Sequence, residues 1–189
     1  DKQFWYGPAG NVPGMPMDTE GKTTGLQVKG DIALSARDTL RVGAELQNYR
    51  LDDWWLPSGG GMAPNTFWNI RDGQRDRADV YGEWEARWNP QWLSQIGLRG
   101  SHVRSNSGAV QGYNANYNME ANAFNARDRK RSDNNIDFTA LARYAPNANT
   151  TYEFGFAHKT RSPNLYERYT WSTGGMAMRM INLAGDGNG

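Results

Sequence analysis

The sequence predicts an all-β chain, an antiparallel transmembrane β-barrel wall of about six strands in three hairpins. Three observations carry that prediction. Apolar and polar side chains alternate with a period of two, turns within hairpins are short while links between them are long, and aromatic residues gather at strand ends. Composition agrees, with 22 glycines, 8 Trp, 9 Tyr and 6 Phe in 189 residues. A polar, aromatic-rich and glycine-rich chain suits either a soluble β-protein or a membrane barrel, whose hydropathy signal is weak by construction.

Bulk properties exclude several classes. Charge is close to balanced, 21 Lys+Arg against 20 Asp+Glu, which argues against a nucleic-acid binder. No cysteine is present, so disulfide frameworks and zinc–thiolate sites are excluded. The opening DKQFWYGPAG has no signal-peptide pattern. No apolar run approaches the roughly 18 residues of a membrane helix.

The strands come in pairs. In TTGLQVKGDIALS, Leu26, Val28, Ile32 and Leu34 alternate with Gln27, Lys29 and Asp31. After a short break, LRVGAELQNYR sets Leu40, Val42, Ala44 and Leu46 against Arg41, Glu45 and Gln47. The second hairpin places Val80, Trp84, Ala86 and Trp88 opposite Asp79, Glu83, Glu85 and Arg87, turns at NPQ, and returns through Ile96 and Leu98. The third runs through Ile136, Phe138, Ala140, Ala142 and Tyr144, with Leu141 breaking the rule. It turns at PNAN and returns through Tyr152, Phe154 and Phe156. Each pair of alternating runs around a short polar break is a hairpin signal.

The links between hairpins, roughly 53–77 and 105–131, are expected to exceed twenty residues. Such loops are rare in compact soluble domains, whereas outer-membrane barrels carry short turns at one end and long extracellular loops at the other. Full charges in mid-strand suit a wet or plugged lumen. Trp88, Trp92, Tyr144 and Tyr152 at the short turns, and Tyr49, Trp54, Trp55 and Tyr169 at the long-loop end, are expected to form interfacial girdles. The competing soluble sheet with one wet face alternates too, but it does not account for the loop asymmetry. About eight strands is the smallest closed barrel, so six are expected to be part of a larger one.

The segment KTRSPNLYERYTW followed by GDGNG, and the arrangement YRLDDWW…TFWNIRDG, resemble TonB-dependent outer-membrane receptors, in particular the copper receptors. The resemblance covers about Met15 to Gly189. It implies a barrel of about 22 strands closed by a plug, energised through TonB, in the outer membrane of a Gram-negative cell. Residues 1–189 are then a partial barrel domain, with no plug and no TonB-contacting box visible in them. The implied partners are a copper ion, the TonB complex through the plug, and outer-membrane lipid.

Methionine usage points to the cargo. All seven methionines, at 15, 17, 62, 119, 176, 178 and 180, fall outside the six expected strands. Met15 and Met17 sit two residues apart, and Met176, Met178 and Met180 repeat that spacing, which on an extended backbone turns all three sulfurs to one side. Thioether sulfur is soft and prefers Cu(I), and it suffers no proton competition near neutral pH. The first cluster also resembles a His-x-Met-Asp pattern of copper receptors, with Met15 where that pattern has histidine. These five methionines are therefore the expected copper ligands. The bland alternative is adaptable packing, which is the expectation for isolated Met62 and Met119.

Other candidates read as structural. His102 and His158 are expected at the barrel rim, and Arg161, Glu167 and Arg168 as an ion-pair network. Asp186 in GDGNG lacks the partners of a calcium loop. The cations around 127–131 suit a solvated loop or anionic lipid headgroups. No residue is expected to perform covalent chemistry. A ferric-siderophore receptor using Trp54, Trp55, Phe67, Trp68 and Arg71 is the nearest competing function. A soluble glycan-binding sheet follows, and an outer-membrane hydrolase ranks last because no nucleophile elbow is present.

Overall fold

A computed structural model of the chain describes residues 2–3 (backbone only), 17–57 and 63–173. They form one antiparallel sheet whose seven strands are ordered as in the sequence. The strands are β1 (Lys2–Gln3), β2 (Met17–Ala33), β3 (Asp38–Trp55), β4 (Phe67–Arg87), β5 (Trp92–Asn106), β6 (Arg131–Asn147) and β7 (Thr150–His158). Two short helices follow the sheet's outer end, α1 (Asn118–Asn125) and α2 (Leu165–Tyr169). All three expected hairpins are present, as β2–β3, β4–β5 and β6–β7.

The two faces of the sheet are opposite in character to those of a soluble sheet. Leu26, Val80 and Phe154 on the apolar face are 63%, 65% and 67% exposed, with no element packed over them among the described residues. On the other face Asp79 and Glu85 are only 2% and 4% exposed. A sheet that buries charge and presents aliphatic and aromatic side chains outward is stable where the outside is hydrocarbon.

Charge burial on the inner face is compensated pairwise. Arg41 donates to Glu83 and Glu85, both at 2.9 Å, and Gln95 donates to Glu85 at 2.9 Å. One level higher, Arg77 pairs with Glu45 at 2.5 Å and with Asp79 at 3.2 Å, and Arg99 pairs with Asp79. The ladder register makes this possible, since Glu45 faces Asp79 across β3–β4 and Asp79 faces Ser101 across β4–β5. Without such partners each carboxylate would carry the full cost of leaving water.

Strand length departs from expectation. Pairing of β3 with β4 continues to Trp55 and Phe67, so the first long link shrinks to 56–66. The alternation weakens above Leu46 because the strands leave the apolar zone, not because they end. A register shift between Leu51 and Trp54 re-aims the side chains there, and Asp72 has a φ of 50°. The second link, 107–130, stays long but is ordered by a 3₁₀ turn and α1.

The expected aromatic girdle loses Trp55 and Tyr169 at its long-loop end, while Tyr49 and Trp54 are half-buried there. Beside the short turns Trp92 stacks on Tyr144 at 4.5 Å, Tyr144 stacks on Tyr152 at 6.4 Å, and Trp88 and Trp92 are half exposed. At the other end Trp55 and Tyr169 are 1% and 0% exposed, so they are core residues and not a girdle. The long link and α2 fold over them and take them out of any interface.

Candidate functional site

The inner face acquires a roof where the strands rise above the apolar band. Leu51, Trp55, Phe67, Tyr113, Phe124, Leu165, Tyr169 and Trp171 form one buried cluster drawn from β3, β4, the 107–130 link and the segment around α2. Phe67 is its hub. It stacks on Trp171 at 5.1 Å and 13°, and meets Trp55 at 5.2 Å and Tyr117 at 5.3 Å edge-on. These offset and edge-to-face contacts are the favoured geometries for aromatic quadrupoles.

The RSPNLYERY segment supplies the roof's rigid corner. Asn164 and Glu167 form a reciprocal capping box that starts α2. Arg161 grips Glu167 through two bonds of 2.6 and 2.7 Å. That arginine, with the Asn164 backbone N–H at 2.8 Å, lowers the Glu167 carboxyl to about 2. Arg168 turns into the wall, donating to Asp133 at 2.9 Å and to Ser105 Oγ at 3.1 Å. Tyr169 Oη donates to the Arg129 carbonyl at 2.7 Å. Burial is the main cause that pushes the Tyr166 phenol up to about 12. The charged set Arg161, Glu167 and Arg168 is thus a fastening, as expected.

Close approach of α2 to the wall needs Gly73. A Cβ there would stand 2.7 Å from Ile70 Cγ2, 2.8 Å from the Leu51 carbonyl oxygen and 3.2 Å from Leu165 Cδ1. Beneath the roof Asp53 is 1% exposed and accepts from Thr19 Oγ1 at 2.6 Å and Asn69 Nδ2 at 2.7 Å. Across the sequence Glu120 of α1 receives Ser172 Oγ at 3.1 Å and the Thr173 N–H at 3.2 Å. No spacing in the sequence signals that pair or the burial of Trp171. Both depend on the long link folding back.

The expected metal ligands divide. Met17 is the first residue of β2, opposite Trp55, and packs partly buried against the roof cluster. That corrects the expectation that all seven methionines lie outside strands, because β2 begins earlier than its alternation shows. Met15, Met176, Met178, Met180 and Met62 lie outside the described residues, as does Asp186. Met119 is 81% exposed on the first turn of α1, so it is not packing filler. Among the described residues no group of three His, Cys, Asp or Glu side chains is arranged to hold a metal.

The aromatic set of the competing siderophore reading is divided by burial. Trp55 and Phe67 are each 1% exposed in the roof cluster, while Trp54 and Trp68, 5.4 Å apart, are half-buried, with Trp68 packed against that cluster. Arg71 lies over Trp68 at 5.2 Å. Trp54, Trp68 and Arg71 are thus the accessible members of the five, and Trp55 and Phe67 are core. His102 faces outward at the rim, bonded to Asn134 at 2.8 Å, and His158 ends β7.

An apolar-out, charge-in wall with its elaborated loops at one end defines an outer-membrane β-barrel. The comparisons narrow that class. The family model for the TonB dependent receptor-like β-barrel matches residues 1–188, and the chain belongs to that family. It is barrel-wall sequence of a TonB-dependent transport receptor of the Gram-negative outer membrane. No curated protein and no solved structure matches the chain.

Proposed function

We propose that the receptor imports copper, collected at its extracellular mouth by the thioethers of Met15, Met17, Met176, Met178 and Met180. The carrying observation is that Met17 and Trp171, the latter five residues before Met176 in the sequence, meet at one buried cluster. Met17 packs on the roof cluster, and Trp171 and Ser172, buried at 7% and 2% exposure, lead into the sequence that holds Met176. Soft, uncharged sulfur donors select Cu(I) over the harder ions abundant outside the cell. The reading takes residues 1–189 as part of the barrel domain, with the plug and its TonB contact supplied by sequence outside them. Copper is cargo here, released inward when TonB rearranges the plug.

Anaerobic Cu(I) titration of the full-length receptor in detergent tests this, beside a variant with those five methionines changed to leucine. Tight binding by the parent and at least a tenfold loss in the variant is expected, about one step of 1.4 kcal/mol or more. Equal affinity in the two proteins contradicts the proposal and leaves the methionines as packing.

A further inference from the structure

One buried carboxylate of the wall has no countercharge. Asp53 lies on β3 within the register shift, above the apolar band, and is 1% exposed. Its oxygens meet only neutral groups, Thr19 Oγ1 of β2 at 2.6 Å, Asn69 Nδ2 of β4 at 2.7 Å and the Tyr166 phenol of α2. Among the described residues no lysine, arginine or histidine forms an ion pair with it. The other two buried carboxylates differ, since Asp79 has Arg77 and Arg99 beside it and Glu85 has Arg41.

Neighbouring titratable groups do not supply the missing charge. Tyr49 on β3 and Tyr166 on α2 are neutral phenols, and burial pushes both up. On α2, Glu167 is held by Arg161, and Arg168 is spent on Asp133. On β4, Arg71 lies over Trp68, and the charges that act on Arg75 are those of Arg77, Arg168, Asp133 and Asp79. On β2, Asp18 and Glu20 flank Thr19 and alternate to the other face. Asp52 accepts the Asp72 N–H.

An ionised carboxylate in this setting bears a desolvation cost that neutral hydrogen bonds offset only in part. Binding a proton removes that cost and needs no extra space. A proton on Oδ1 reverses the 2.6 Å bond, so that Asp53 donates to Thr19 and the Thr19 hydroxyl is free to donate to Tyr166. Burial accordingly pushes the Asp53 carboxyl above its ordinary 3.8, against the hydrogen bonds of Thr19, Asn69 and Tyr166.

We propose that Asp53 is a proton-operated fastening of the roof: un-ionised, it ties β2, β3 and β4 to α2, and its ionisation loosens α2 from the wall. The site is independent of what the receptor imports. The folded-state value is raised, so opening of α2 releases a proton at any pH between 3.8 and that value, and the fastening weakens as pH rises through this window. The contribution of Glu167 is complete above pH 4.5, which leaves the range above it to Asp53.

The test uses the full-length receptor in detergent from pH 4.5 upward to neutrality. Two readouts are taken, the infrared carbonyl band of an un-ionised carboxyl and amide hydrogen exchange of α2 corrected for its intrinsic pH dependence. In the parent, α2 opening should increase about tenfold per pH unit, the value for one proton, until Asp53 ionises in place, and then level off. Asp53→Asn cannot ionise, so it should lack the band and show no rise. Thr19→Val keeps the carboxyl but removes a bond that favours the ionised form, so its band should persist to higher pH than the parent's. That variant serves alone if Asp53→Asn does not fold. An equal rise in the parent and Asp53→Asn, no band in the folded parent at pH 4.5, or a band lost at one pH in the parent and Thr19→Val overturns the proposal. Protection of α2 that follows added sodium or calcium instead of pH assigns the carboxylate to a bound cation and also overturns it.

Discussion

The two ends of this sheet use the same residue types for opposite purposes. Beside the short turns Trp92, Tyr144 and Tyr152 stack in a row on the outer surface, half exposed, where an amphipathic ring bridges hydrocarbon and water. At the far end Trp55, Phe67, Tyr169 and Trp171 are almost fully buried under the 107–130 link and α2. The difference is the length of chain available to cover them. A short turn cannot fold back, whereas the long link brings Tyr113, Ala121 and Phe124 down onto the inner face. An aromatic residue's role at a barrel rim is therefore set by the loop above it and the face it occupies, not by its distance from the strand end.

The largest effect expected from that contrast is at the hub of the roof. Phe67→Ala should destabilise the loop cap by about 3–5 kcal/mol, since it empties a fully buried aromatic site. Amide hydrogen exchange of α2 in the intact receptor should speed up correspondingly while the apolar band of β5 and β6 stays protected. Uniform loss of protection would show that roof and wall are one cooperative unit, which the comparison denies.

Gly73→Ala comes next, at about 1–3 kcal/mol, because the added methyl meets the Leu51 carbonyl and cannot be relieved by a rotamer change. Limited proteolysis within 161–173 should accelerate. Cleavage at the parent's rate would mean that α2 does not press on β4 as closely as the 3.2 Å approach of Leu165 implies.

Trp92→Ala at the opposite end should cost only about 1 kcal/mol, the value of a partly exposed aromatic pair. Urea titration of the receptor folded in vesicles measures it. A loss as large as that of Phe67→Ala would erase the distinction between the ends.

The smallest effect is electrostatic. The Glu167 carboxyl titrates at about 2 against an ordinary 4.5. Its folded-state pKa is depressed, so the stabilisation by Arg161 and the Asn164 N–H is fully present above pH 4.5. It is lost as the pH falls from there through about 2. Exchange protection of α2 should decline across that window in the parent and stay flat in Glu167→Gln. A parent profile flat to pH 2 would remove the capping box from the account.

Much of the wall is legible in the sequence. Alternation at Leu26–Leu34, Val80–Trp88 and Tyr152–Phe156 reports a two-sided environment directly, and the hairpins follow from where it stops. The upper wall was not legible because its outward row, through Asn48, Asp76 and Arg104, is polar like its inner row, so the period-two signal vanishes while pairing continues. The roof was illegible for a different reason. Contacts such as Phe67–Trp171 and Glu120–Thr173 join residues far apart in the chain, and no local pattern encodes them. For the methionines, the spacing is visible in the sequence, while the place of Met17 in β2 depends on its pairing with Trp55.

One measurement reaches the central contrast directly. The receptor is folded into vesicles with or without brominated acyl chains, and tryptophan emission is compared for the parent, Trp92→Phe and Trp171→Phe. Trp92→Phe should remove emission that bromine quenches, and Trp171→Phe should remove only emission that bromine leaves untouched. The reverse pattern, or equal loss of quenchable emission from both, would contradict a wall whose aromatics face lipid at one end and a packed core at the other.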